Sequence, residues 1–183
     1  MKYLLMCEGS NEELLINLLL DMNALILTRE DLIGRKPYHI RQITHPTIVS
    51  ELKLYNKSVT IYRIGDKQTD KLTIPIKLKN IVSQDRIYKY CTKPELEILL
   101  IINEGLFKKY QKIKSKKTPK EFAKENITFN GIKYDQSCEF LNKYYSNKNI
   151  KKLINNLKEY KLLNKKHNKD ELYLADLIKG KKW

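Results

Sequence analysis

Three carboxylates stand where an α/β protein gathers its chemistry. Glu8 directly follows the apolar run Lys2–Cys7 and precedes Gly9. Asp66 follows the β-branched and aromatic run Val59–Ile64 through Gly65, and Glu97 borders the apolar stretch Ile98–Ile102. Sites in open α/β sheets form outside the carboxyl ends of the strands. Glu8 and Asp66 therefore share one edge if their strands are parallel neighbours. Two like charges about 4 Å apart repel by about 4 kcal/mol at an effective dielectric near 20, so converging acids need a proton or a cation between them. Oxygen ligands without His or Cys favour Mg²⁺ or Mn²⁺ over zinc. Such an ion next to a phosphate stabilises developing charge, orients the group and acidifies a bound water. Lys67 and Lys71 flank Asp66 and could hold that phosphate. Each acid also has an ordinary reading, as a turn residue or a helix-start acid, and spacing alone leaves both open.

The elements that must position these groups are partly legible. Lys2–Cys7 reads as a buried strand. Ser10-Asn-Glu-Glu13 has the form of a capping box and opens a helix with its stripe at Leu14, Leu15, Leu18 and Leu19. Ala24–Thr28 predicts a second strand, Ile48–Leu54 a short helix and Val59–Ile64 a further strand. Lys67–Lys79 is polar and irregular. Thr92-Lys-Pro-Glu95 is a second capping box, opening a long helix to about Ile113 with Glu97 in its first turns. Thr118-Pro-Lys-Glu121 is a third, with Pro119 at the first helical position. Further helices are expected over 137–145, 148–163 and 170–179. The expected fold class is α/β: a small, mostly parallel sheet flanked by helices, with a basic C-terminal helical extension. The division expected is an α/β domain over 1–107 and a lysine-rich helical extension over 108–183 packed on it.

Charge is distributed unevenly. The formal net charge is +15; residues 1–104 hold 15 Lys/Arg against 13 Asp/Glu, and residues 105–183 hold 21 against 8. A basic half of this kind points to a polyanion, most often nucleic acid, the alternative being a solvated lysine surface. Lys108, Lys109, Lys112, Lys114, Lys116 and Lys117 form the densest run, though one helix cannot turn them all to the same side. Tyr144-Tyr145 reads as packing before base stacking, and His39, His45 and His167 receive no role. Cys7, Cys91 and Cys138 are too few and too scattered for a disulfide framework. No run of 18 apolar residues suggests a membrane span, and Met1–Cys7 is too short for a signal peptide, so a cytoplasmic protein is expected.

The acidic motifs together resemble the TOPRIM domain, in particular its RloB-like and OLD-type branch. The family opens with a strand ending in Cys-Glu-Gly before an acidic helix; here that is Leu4-Leu-Met-Cys-Glu8-Gly9-Ser-Asn-Glu-Glu13. A later strand is followed by an Asp motif, here Ile64-Gly-Asp66-Lys-Gln-Thr-Asp70. A segment of the form Ser-Asn-Pro-x-Phe-Glu-x-Trp-Leu-Leu comes next and is similar to Cys91-Thr-Lys-Pro-Glu-Leu-Glu97-Ile-Leu-Leu100. The resemblance spans residues 2–104 in three patches. It implies a TOPRIM-like sheet and Mg²⁺-dependent (or Mn²⁺-dependent) cleavage or nicking of DNA or RNA, often in antiviral defence. Glu8, Asp66 and Glu97 would be catalytic, and the same three with Asp70 the metal ligands. On the charge distribution, Lys67, Lys71, Lys108, Lys109, Lys112, Lys116 and Lys117 would contact nucleic acid. Such nucleases often work beside an ATPase; with no G-x-x-x-x-G-K-[ST] here, that would be a separate chain. Two departures stand out. The family's Asp-x-Asp is replaced by Asp66 with Asp70 four residues on, and Asn103-Glu104 stands where the family carries His. A module that binds nucleic acid or a partner ATPase without catalysis is the alternative.

Overall fold

The computed structural model describes residues 1–65, 72–91, 95–145, 149–163 and 171–180. The expected α/β class holds. A five-stranded, all-parallel sheet runs in the order β2 (Tyr38–His39), β1 (Lys2–Cys7), β3 (Val59–Gly65), β4 (Ile87–Cys91) and β7 (Glu171–Tyr173). Period-two alternation sends Leu5, Cys7, Tyr62, Ile64 and Tyr90 to one face and Leu4, Met6, Val59 and Ile61 to the other. On the first face pack α1 (Ser10–Asp21), α3 (Ile98–Asn103), α5 (Pro119–Asn126), α6 (Cys138–Tyr144) and α7 (Ile150–Leu163). Helix α2 (Pro46–Tyr55) and the segment containing Leu72, Leu78, Ile81 and Val82 cover the second face. Residues 108–183 thus share one core with 1–107 and contribute the strand β7 at the sheet edge.

Several boundaries differ from expectation. The first helix begins at Ser10 with Gly9 as its N-cap and no side-chain cap, so the expected Ser10–Glu13 box does not form. Glu12 folds back instead: a Cβ on Gly9 would lie 2.5 Å from its Oε2. Ala24–Thr28 is no strand. Ala24, Leu25 and Leu27 are buried, but Leu25 makes only an isolated antiparallel bridge to Ile178. The long helix to Ile113 is broken. α3 starts at Ile98 with Glu97 as its N-cap, and Gly105, at φ 68°, ends the run before α4 (Phe107–Gln111). Only glycine takes that backbone angle freely. Ile98–Ile102 are all buried, because this short helix is enclosed by α5 and α7. Of the second expected capping box, Thr92, Lys93 and Pro94 lie outside the described residues. The third forms as expected: Thr118 Oγ1 accepts from Glu121 N at 3.2 Å, and Thr118 N donates to Glu121 Oε2 at 2.8 Å. Where a helix was expected over 170–179, the chain forms β7 and a single 3-10 turn, Leu174–Leu177.

A hairpin was not anticipated. Strands β5 (Thr128–Phe129) and β6 (Ile132–Lys133) pair antiparallel across Asn130-Gly131, at φ 49° and 77°. That is the two-residue turn for which Asn-Gly is the strongest local signal.

Among the described residues no helix is long and apolar enough to cross a membrane.

Tyrosine supplies much of the packing. Tyr62 lies 5.1 Å from Tyr3, 5.0 Å from Tyr90 and 5.7 Å from Tyr88 between ring centres, a band across β1, β3 and β4. Tyr144 and Tyr145 are core residues, 2% and 1% exposed, as the packing reading expected. Burial raises the phenols of Tyr90, Tyr134, Tyr144 and Tyr145, and burial with Glu51 nearby pushes Tyr38 up to about 12. Below the ordinary tyrosine value of about 10 both folded and unfolded chains keep these groups neutral. Above it the unfolded chain ionises first, so stability falls as pH rises. Alkaline titration is expected to include a cooperative step in phenolate absorbance, from these buried tyrosines, coincident with loss of helical circular dichroism. Ionisation of all twelve tyrosines with unchanged dichroism would contradict this packing.

Candidate functional site

Strand order fixes where the carboxyl ends meet. β1 connects through α1 to β2 on one side, and β2 returns through α2 to β3 on the other. The order in which strands are added thus switches sides between β1 and β3, the place where α/β sheets form a crevice outside the carboxyl ends of their strands. Cys7 is in register with Ile64, and Glu8 N donates to Ile64 O at 2.9 Å, so Glu8 stands beside Gly65 at that crevice. A Cβ on Gly65 would lie 2.4 Å from Glu8 Oε2 and 2.7 Å from Glu8 Cβ. Only a residue without a side chain lets this carboxylate lie across the end of β3.

Glu8 is 22% exposed and has a cationic neighbour that sequence reading missed. Arg41 Nη2 lies 3.5 Å from Glu8 Oε1, and Arg41 Nε donates to Glu8 O at 3.2 Å. Arg41 follows β2 by two residues, so it reaches the crevice by the same strand-end rule. The short strand Tyr38–His39 gave too little pattern to place it.

Glu97 sits deeper. It is 7% exposed, and Tyr134 donates its hydroxyl to Glu97 Oε1 at 2.9 Å. The Glu97 carboxylate beside it is a further reason, after burial, that the Tyr134 phenol holds its proton. Glu97 lines a polar pocket of about 210 Å³ with Gly9, Asn11, Glu12, Glu95 and Lys120. The wall of this pocket is the turn that immediately follows Glu8. Lys120 N donates to Glu95 Oε2 at 2.9 Å, drawing the start of α5 onto it. Asn11 is held from the far side, with its Nδ2 donating to Gln136 O at 3.3 Å and Cys138 Sγ donating to its Oδ1 at 3.1 Å. Tyr134 and Lys120 are therefore site neighbours far from the acids in sequence, and no local signal marks them.

The structure thus brings Glu8 to the end of β3 and Glu97 to the turn just after Glu8. Asp66, Asp70, Lys67 and Lys71 lie outside the described residues. Among the described residues no group of three His, Cys, Asp or Glu side chains could hold a metal ion. Of the expected nucleic-acid lysines, Lys108, Lys109, Lys112 and Lys116 are exposed, as is Lys114. Lys117 is half-buried and paired with Glu125, and Lys109 donates to Asn126 Oδ1 at 2.8 Å. No family model, curated protein or solved structure compared with the chain matches it.

Proposed function

We propose that the chain is a divalent-metal-dependent phosphodiesterase acting on DNA or RNA, a nuclease or nickase. The observation that carries this is the Glu8 carboxylate lying over Gly65 where the strand order switches sides. The next residue in the chain is Asp66, with Asp70 four further on. The donor set is all oxygen, which suits Mg²⁺ or Mn²⁺, and the side-chain-free Gly65 leaves the room that paired carboxylates need. Glu8 and Asp66 would hold the ion, with Asp70 and Glu97 as further oxygen donors. A bound ion would stabilise the developing phosphoryl charge and acidify a water. Arg41 is within reach of a phosphate beside Glu8, and the exposed lysines of 108–116 would hold the backbone on either side. The TOPRIM resemblance supports the same chemistry, a role in antiviral defence and a separate ATPase partner.

A second reading is favoured by a specific observation. Glu8 already pairs with Arg41, and Glu97 already accepts from Tyr134. Acids satisfied in this way suit a module that binds nucleic acid or a partner ATPase without cutting.

Incubation of the pure protein with plasmid, linear DNA and tRNA, with Mg²⁺ or Mn²⁺, separates the two. Metal-dependent cleavage lost in the Glu8→Gln, Asp66→Asn double variant supports the enzyme; cleavage that survives it sinks the assignment. Both readings expect salt-sensitive binding. If about six lysines touch phosphates, affinity falls about 10³-fold between 50 and 200 mM salt. A flat salt dependence in a filter-binding titration would remove the nucleic-acid partner from both.

A further inference from the structure

The segment 134–138 has two sides. Tyr134, Gln136 and Cys138 face the acidic pocket through their bonds to Glu97 and Asn11. Asp135 and Ser137 face the other way, into a groove of about 810 Å³ between the β5–β6 hairpin and α6. This is the size range of small-molecule sites. We infer that the groove takes a single unstacked nucleobase of the substrate strand, an inference that rests on the nucleic-acid reading above.

The groove's chemistry selects a flat, neutral, hydrogen-bonding group. Its floor is apolar: Leu18, Phe129, Ile132 and Phe140. Phe129 and Phe140 meet edge to face at 6.5 Å, and Tyr144 backs both at 5.1 and 5.8 Å. A floor braced from behind keeps its shape when a planar ring lies on it. The rim carries the amides of Asn130, Asn142 and Asn149, which offer donors and acceptors together. Asn reads the donor–acceptor edge of adenine, and a carboxylate accepts from the amino group of cytosine.

Charge argues against a phosphate in the groove. Among the described residues of its lining the one cation, Lys143, is paired with Glu139 at 2.6 Å. Asp135 adds a carboxylate, its oxygen accepting from Ser137 N at 2.9 Å. Phosphates therefore belong on the lysine face and the base here. Segment 134–138 lines the groove through Asp135 and Ser137 and bonds to Glu97 and Asn11 of the acidic pocket, so it ties the two sites together.

Saturation-transfer NMR with adenosine, cytidine, guanosine and uridine tests this on the full chain, with ribose 5-phosphate as the control that lacks a base. At least one nucleoside is expected to receive saturation and ribose 5-phosphate none. Ile132→Asp is expected to weaken the nucleoside tenfold or more, since stacking on the floor supplies much of its affinity. Ile132 is 48% exposed in a two-residue strand, so the variant stays folded, with circular dichroism as the check. No nucleoside signal, or one unchanged in Ile132→Asp, overturns the inference. Cleavage without nucleoside binding removes the groove alone. Nucleoside binding lost in Ile132→Asp, without cleavage, supports the groove and removes the phosphodiesterase.

Discussion

Replacing Glu8 with Gln is expected to lower Mg²⁺-dependent cleavage about 10³-fold while the chain stays folded. The substitution keeps the side chain's size and removes the charge that a hard cation needs. Losing several kcal/mol of charge stabilisation corresponds to that factor, at about 1.4 kcal/mol per tenfold. Gly65→Ala should have a similar effect by a different route. Its Cβ would fall 2.7 Å from Glu8 Cβ, a fixed part of that side chain, so Glu8 must leave its place over β3. The overpacking costs about 1–3 kcal/mol of stability. Cleavage rates under single-turnover conditions check both variants. A Glu8→Gln rate within threefold of the parent would exclude Glu8 from the reaction, and an unchanged Gly65→Ala rate would make the close approach incidental.

Phe122→Ala carries the largest expected effect on stability. Phe122 is fully buried on α5, its ring 5.4 Å from Tyr110, with Lys109 Nζ 5.9 Å above it. Deleting such a ring costs about 3–5 kcal/mol, from lost transfer energy and the cavity left behind. At about 2–4 °C per kcal/mol for a chain of this size, the melting temperature should fall by about 6–20 °C. The effect reaches the site, because α5 begins with the Lys120 amide that holds Glu95. Leu54→Ala is the control: Leu54 is 83% exposed and should change stability by less than about 0.5 kcal/mol. Thermal unfolding followed by circular dichroism checks the pair; equal melting temperatures would mean that α5 does not share the common core.

What was legible in the sequence follows from where the information is local. β1 is a short apolar run, β3 a β-branched and aromatic one, and α2, α6 and α7 show helical spacing or caps, so each is found from its own residues. β4 escaped because Ile-Tyr-Lys-Tyr-Cys is short, sets Lys89 between two tyrosines and buries only Tyr90 and Cys91 fully. β7 follows a polar, lysine-rich stretch and is only three residues long; its pairing with β4 supplies what its own sequence lacks. The same holds for the site. Glu8 is visible because its strand and its Gly neighbour are adjacent in sequence. Strand order is not a local property, so no local pattern shows that β1 and β3 flank the reversal point. Arg41, Lys120 and Tyr134 arrive from strands and helices elsewhere in the chain and become site residues only once the sheet is assembled. The Asn130-Gly131 turn was the exception, a local signal in plain view that makes the hairpin forming one side of the groove.

Manganese titration followed by electron paramagnetic resonance tests the central claim most directly, because it reads the site without requiring a substrate. Saturable Mn²⁺ binding is expected that Mg²⁺ displaces and that is lost in the Glu8→Gln, Asp66→Asn double variant. Free-ion signal identical in the parent and the double variant would contradict it.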